Sequence, residues 1–112
     1  MTRAQNFLGK VVDVIIDRPM GSLHPKHGFI YEVNYGYVSD TKSPDGEELD
    51  VYYLGTDKSL EKAEGVCIAV IHRKNDDDDK LVVVPEVISF SNKEIDKLIE
   101  FQEKWFKHKI LR

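Results

Sequence analysis

Three acidic side chains, Asp45, Glu47 and Asp50, fall at i, i+2 and i+5 where the run Ser43-Pro44-Asp45-Gly46 leads into Asp50 to Leu54. Pro pre-sets one backbone dihedral and Gly tolerates positive φ, so this run is a tight turn that holds its carboxylates on a short loop. Alternation along the strand that follows points Asp45 and Glu47 the same way. Carboxylates this close repel unless a cation joins them. An oxygen-only donor set suits a hard divalent cation such as Mg²⁺ or Mn²⁺. Spacing by itself does not distinguish such a site from a solvated acidic turn. The same holds for Asp76-Asp77-Asp78-Asp79, which runs into Lys80. His24 and His27 flank Pro25-Lys26 and titrate near neutral pH, so they can contact an anion, act as acid or bind a metal.

The elements that must position these groups are mostly strands. Lys10 to Asp17 is rich in β-branched residues and stops before Arg18-Pro19, which places Asp17 at a strand exit. Met20 to Gly28 is dense in turn formers and reads as a loop. Phe29 to Val38 alternates around Asn34 and Gly36, as two strand pieces bent at Tyr35-Gly36 that could aim Tyr31 and Tyr35 into one site. Further strands are expected at Asp50 to Leu54, Val66 to His72 and Leu81 to Pro85, the last two forming a hairpin with an acidic tip. Ser91-Asn92-Lys93-Glu94 reads as a capping box. Ile95, Leu98, Ile99, Gln102, Trp105 and Phe106 then recur at helical spacing, which predicts one amphipathic C-terminal helix with Trp105 and Phe106 in the core.

A chain of 112 residues with 41% hydrophobic and 32% charged residues is expected to form a single domain over 1–112, mainly β with α. No apolar run approaches the roughly 18 residues of a membrane span, and no signal-like core follows Met1. The single Cys67 lies in an apolar run and reads as buried and inert, so a reducing, cytoplasmic setting is expected. A net charge of −4 disfavours nucleic-acid binding as the main role. Homo-oligomerisation stays open.

The order of several short motifs resembles the soluble inorganic pyrophosphatases. Asn34-Tyr35-Gly36-Tyr37-Val38 precedes Asp45-Gly46-Glu47-Glu48-Leu49-Asp50-Val51, which is similar to that family's Asp-Gly-Asp-Pro-x-Asp signature. Lys80-Leu81-Val82-Val83-Val84-Pro85 is close to its Lys-Leu-Val-x-Val-Pro strand, and Asp17 with Pro19 stands where the family has Glu before a proline. The resemblance implies a small five-stranded, oligonucleotide-fold-like barrel and Mg²⁺-dependent hydrolysis of a phosphoanhydride. It implies that Asp45, Asp50 and Asp78 hold metal and that Glu47 helps deprotonate water. Tyr35, Tyr31, Lys80 and Lys26 would contact or support phosphate.

Two departures bear on substrate. Between Lys26 and Tyr31 only His27-Gly28-Phe29-Ile30 remains, where the family has a longer hairpin with a phosphate-binding arginine. His24 and His27 are the expected replacements. The family's Tyr-Lys pair near the C-terminal helix is matched only by Lys104-Trp105-Phe106-Lys107. A related hydrolase of an organic phosphate or diphosphate is therefore the alternative. A barrel that binds without turnover is the third reading.

Overall fold

The computed structural model describes residues 3–39, 41, 48–74, 79–85 and 88–112. A short 3₁₀ helix, Ala4–Phe7, leads into strand β1, Val11–Arg18. In β1 the buried Val12, Val14 and Ile16 alternate with exposed Val11, Asp13 and Ile15. Strands β2 (Asn34–Tyr37), β3 (Asp50–Tyr53), β4 (Lys62–Arg73) and β5 (Asp79–Val84) follow. Helix α1 (Asn92–Glu103) and strand β6 (His108–Leu111) complete the chain.

The strands hydrogen bond in the order β1-β2-β3-β5-β4, and β1 also pairs with β4, which closes a five-stranded barrel. Only β3 and β5 run parallel, so the barrel is mixed. β4 reaches three partners because it is long: its start pairs with β1, its middle with β5 and its end with β6. A register shift between Cys67 and Ala69 marks the change of direction that such a strand needs. The five-stranded barrel with one C-terminal helix is the architecture expected. β4 begins at Lys62, earlier than Val66, because Lys62 to Val66 pair with β1 through a stretch poor in β-formers.

Residues pointing into the barrel form one apolar cluster, with Val14, Val51, Tyr53, Leu81 and Val83 among them. The opposite faces of the same strands form a second cluster with α1, in which Tyr52, Val82 and Val84 meet Ile95, Ile99 and Phe101. The helix starts at the expected capping box: Ser91 Oγ accepts from Glu94 N–H at 3.2 Å, and Glu94 Oε1 accepts from Ser91 N–H at 3.0 Å. It ends at Glu103, before Trp105 and Phe106, because the chain turns there to add β6 to the open end of β4.

Phe29 to Val38 is shorter as a strand than its alternation predicts. Only Asn34–Tyr37 joins the barrel, and the preceding residues form a tight hairpin bridged at Leu23 and Ile30. Gly36 is not a bend. It lies in register opposite Ile16, and a Cβ there would come within 1.9 Å of the Ile15 carbonyl oxygen. Gly36→Ala should therefore force β1 and β2 apart and cost about 1–3 kcal/mol, the usual range for overpacking. Thermal unfolding checks this, and an unchanged Tm would show that the two strands can yield without loss.

Candidate active site

The register of the barrel brings three candidates together. Asp50 and Lys80 are direct neighbours on β3 and β5, and Tyr35 on β2 lies opposite Tyr52, two residues along β3. With a side-chain period of two, Asp50, Tyr52, Lys80 and Val82 share the outer face that α1 covers. At the uncovered end of this face, Lys80 Nζ donates to Tyr35 Oη at 2.7 Å and to Asp50 Oδ2 at 2.9 Å. Lys80 is only 2% exposed, and an ammonium that deep persists because these oxygens replace its water. The ammonium also lies 5.2 Å from the centre of the Tyr35 ring, which stacks on Tyr31 at 5.3 Å.

These groups form the floor of an open cleft of about 800 Å³, and Asp17, His24, Lys26, His27 and Tyr31 line the same cleft. Eight predicted site residues thus converge. Asp45, Glu47 and Asp78 lie outside the described residues. The buried Asn34 ties the loop after β1 in place: its Oδ1 accepts from the N–H groups of Met20 and Leu60, and its Nδ2 donates to the Lys58 carbonyl.

His24 Nδ1 accepts from the backbone N–H groups of Lys26 and His27, each at 3.1 Å. Partial burial and the neighbouring His27, Arg18 and Lys26 hold its pKa below the ordinary histidine value. By accepting at Nδ1, His24 fixes the hairpin and holds its ring in one orientation. Asp17 stands at the exit of β1 as expected. Its carboxyl is exposed but sits in a concave mouth that partly desolvates it, and this, with the charges of Asp50 and Glu48, raises its pKa against the pull of Arg18. Burial likewise raises Tyr31, with the Arg18 guanidinium opposing it.

The far wall comes from the end of β4 and from α1. Arg73 donates from Nε to Glu103 Oε1 at 2.9 Å and from Nη2 to Oε2 at 2.7 Å. Tyr52 Oη donates to Glu103 Oε2 at 2.5 Å, and Gln102 Nε2 donates to Tyr52 Oη at 2.7 Å. The Arg73 guanidinium carbon lies 3.7 Å from the centre of the Phe106 ring, in stacking geometry.

A family model described as inorganic pyrophosphatase matches residues 13–110. The chain belongs to the inorganic pyrophosphatase family. Solved structures agree on the fold. The inorganic pyrophosphatase of Ehrlichia chaffeensis aligns with a TM-score of 0.69 at 16% identity, covering 91% of this chain and 85% of that one. That of Neisseria gonorrhoeae gives 0.62 at 23%, covering 83% and 72%. That of Coxiella burnetii gives 0.62 at 20%, covering 97% and 88%. Comparison with curated protein sequences returns no match.

Among the described residues of this inorganic pyrophosphatase family member, no three His, Cys, Asp or Glu side chains cluster as a metal would require. The donors that are described do fit a hard cation. Asp17 and Asp50 line one cleft, offer oxygen only, and the charge of Asp50 raises the pKa of Asp17. Cys67 is buried and its thiol is pushed up to about 11, so it is inert as expected. Sequence reasoning passed over Arg73 and Glu103, and it placed Gln102 on the helical stripe without a role in the cleft. Glu103 was the available signal, because a carboxylate four residues after Ile99 falls on the apolar stripe of α1 and needs a buried partner. Trp105 and Phe106 were expected in the core. They are 58% and 37% exposed and line the cleft, because the chain has left the helical stripe before it reaches them.

Proposed function

We propose that this chain hydrolyses phosphoanhydride bonds in a divalent-cation-dependent reaction, with inorganic pyrophosphate as the reference substrate. The observation that carries this reading is the Tyr35–Lys80–Asp50 constellation on the floor of the cleft, in a chain of the inorganic pyrophosphatase family. Asp50, Asp45 and Asp78 would hold Mg²⁺, with Asp17 beside them. When bound, Mg²⁺ supplies Lewis acidity and offsets the charge of the diphosphate.

The chain's own residues do the rest. Lys80, which Tyr35 Oη and Asp50 Oδ2 help to fix, holds a positive charge where the departing phosphate gains negative charge, and it needs no reorganisation to do so. Tyr35 orients that ammonium. Glu47 takes the role of holding the attacking water and accepting its proton. Arg18 and Lys26 also line the cleft, where they can meet the outer oxygens of the substrate, while His24 and His27 stand as the replacements for the arginine lost with the longer hairpin. A reducing cytoplasmic location goes with this reading.

Phosphate release from pyrophosphate with Mg²⁺ tests it. A paired measurement is metal-dependent stability, since a ligand that binds only the native state raises Tm by mass action. Wild-type protein should gain Tm with Mg²⁺, and Asp45→Asn and Asp50→Asn should lose most of that gain. Failure of the wild type to gain Tm or to release phosphate would point to the non-catalytic barrel instead.

A further inference from the structure

The cleft is much larger than a bare diphosphate fills, at about 800 Å³, and falls within the range that encloses drug-sized ligands. What occupies the surplus is a row of rings. From Tyr35 on the floor, successive contacts of 5.3 Å to Tyr31, 5.5 Å to Phe29 and 5.5 Å to Trp105 lead to the rim. His24 and His27 flank this row, with His24 at 4.7 Å from Phe29 and 4.8 Å from His27. The row starts at the phosphate-contacting lysine and ends on the most costly side chain to leave in water.

Trp105 is 58% exposed although α1 ends only two residues before it. It is not loosely hung. Phe29 packs on it at 5.5 Å and the Lys104 ammonium lies 4.7 Å from its ring centre, so the indole is braced while much of its surface faces the cleft. The hairpin here is short, Ser22–Tyr31, and it brings His24 and His27 to the cleft. A braced, exposed indole on this cleft is matched by a planar heteroaromatic ring, which pairs π-face to π-face and keeps its polar edge in water.

We infer that the substrate of this cleft is a nucleoside diphosphate, its base stacked on Trp105 and its inner phosphate, the one that departs with the nucleoside, at Lys80. The inference rests on the phosphoanhydride reading above and narrows its substrate class. The reaction balances as a simple hydrolysis. The oxygen of water forms a bond to the terminal phosphorus, the bond from that phosphorus to the bridging oxygen breaks, and the nucleoside monophosphate leaves with that oxygen and its electron pair. One proton of the water is released. Arg18 and Lys26 line the same cleft and can meet the oxygens of either phosphate.

The test uses the full chain with Mg²⁺ and two probes that resist hydrolysis, α,β-methylene adenosine diphosphate and methylenediphosphonate, with affinities from titration calorimetry. Stacking of one base is worth roughly 5- to 150-fold in affinity, so the nucleotide analogue should bind tighter by a factor in that range. Trp105 is the only tryptophan, so its fluorescence should quench with the nucleotide probe and report the stacking directly. Trp105→Ala should bring the preference ratio of the two probes to about one, and Trp105→Phe, which keeps a ring, should retain part of it. Equal affinity for the two probes in the wild type, or a preference that survives Trp105→Ala, would overturn the inference while leaving the phosphoanhydride reading intact. Binding of neither probe would sink both.

Discussion

Lys80→Met should lower kcat/KM for pyrophosphate by about 10²–10³-fold, the usual loss when one preorganised charge-stabilising donor is removed. Met has similar length and apolar volume, so it fills the same buried space without the ammonium, and folding should suffer much less than turnover. Most of the loss should appear in kcat, because Nζ meets a charge that grows only as the bond breaks. Tyr35→Phe should cost less, since it removes the phenol oxygen but leaves the Asp50 carboxylate on the ammonium. Lys80→Arg should not rescue, because a planar fork cannot occupy the place of a point charge held between a phenol and a carboxylate. Steady-state kinetics at saturating Mg²⁺, with circular dichroism as the folding control, decide it. Turnover within tenfold of wild type in Lys80→Met would remove Lys80 from the chemistry.

The convergence of Lys80, Tyr35 and Asp50 shows what can and cannot be read from residues alone. The strands that carry them were legible, because β1 alternates buried and exposed residues with period two and short β-branched or aromatic runs mark β3 and β5. Their register was not. A slip of one residue would turn Lys80 into the barrel and away from Asp50, and nothing local to Lys80-Leu81-Val82 fixes the parallel pairing with Asp50-Val51-Tyr52. Motif order, through resemblance to a family, supplied that link. The C-terminal region had no such aid. His108–Leu111 is only four residues long, and no Gly or Pro marks the end of α1, so the helical stripe extended on paper through Trp105 and Phe106. The exposed indole at the rim followed from that stop. His24 was found as a candidate by residue type, but its loop-fixing role follows from two backbone N–H groups that only the folded hairpin brings to Nδ1. The acidic loop was the strongest signal in the sequence, and its members Asp45, Glu47 and Asp78 remain proposals.

Glu103→Gln should be the most destabilising single change in the described core, at about 3–5 kcal/mol, the cost of removing one partner of a buried ion pair. Glu103 is fully buried, grips Arg73 through both carboxylate oxygens and accepts from Tyr52, so the three residues join α1, β4 and β3 at one point. Gln keeps the shape and one acceptor but leaves the Arg73 guanidinium without its carboxylate. A fall in Tm of about 10 °C or more is expected for a domain of this size. Arg73→Met combined with Glu103→Gln should recover much of the loss, since the buried charge is then gone as well. Acid should imitate the single change. Burial raises the Glu103 pKa, but the hydrogen bonds from Arg73 and Tyr52 outweigh it and hold the carboxyl below its ordinary value of 4.5. The folded protein therefore takes up this proton less readily than the unfolded chain. The contribution is complete above pH 4.5 and is lost as pH falls through the lower folded value. Denaturant unfolding of wild type and Glu103→Gln from pH 7 down to 3 measures it, and the gap between the two curves should narrow on the acid side. A gap that stays constant, or a single variant within 1 kcal/mol of wild type by the usual range for surface changes, would mean that the Arg73–Glu103 pair does not hold the helix to the barrel.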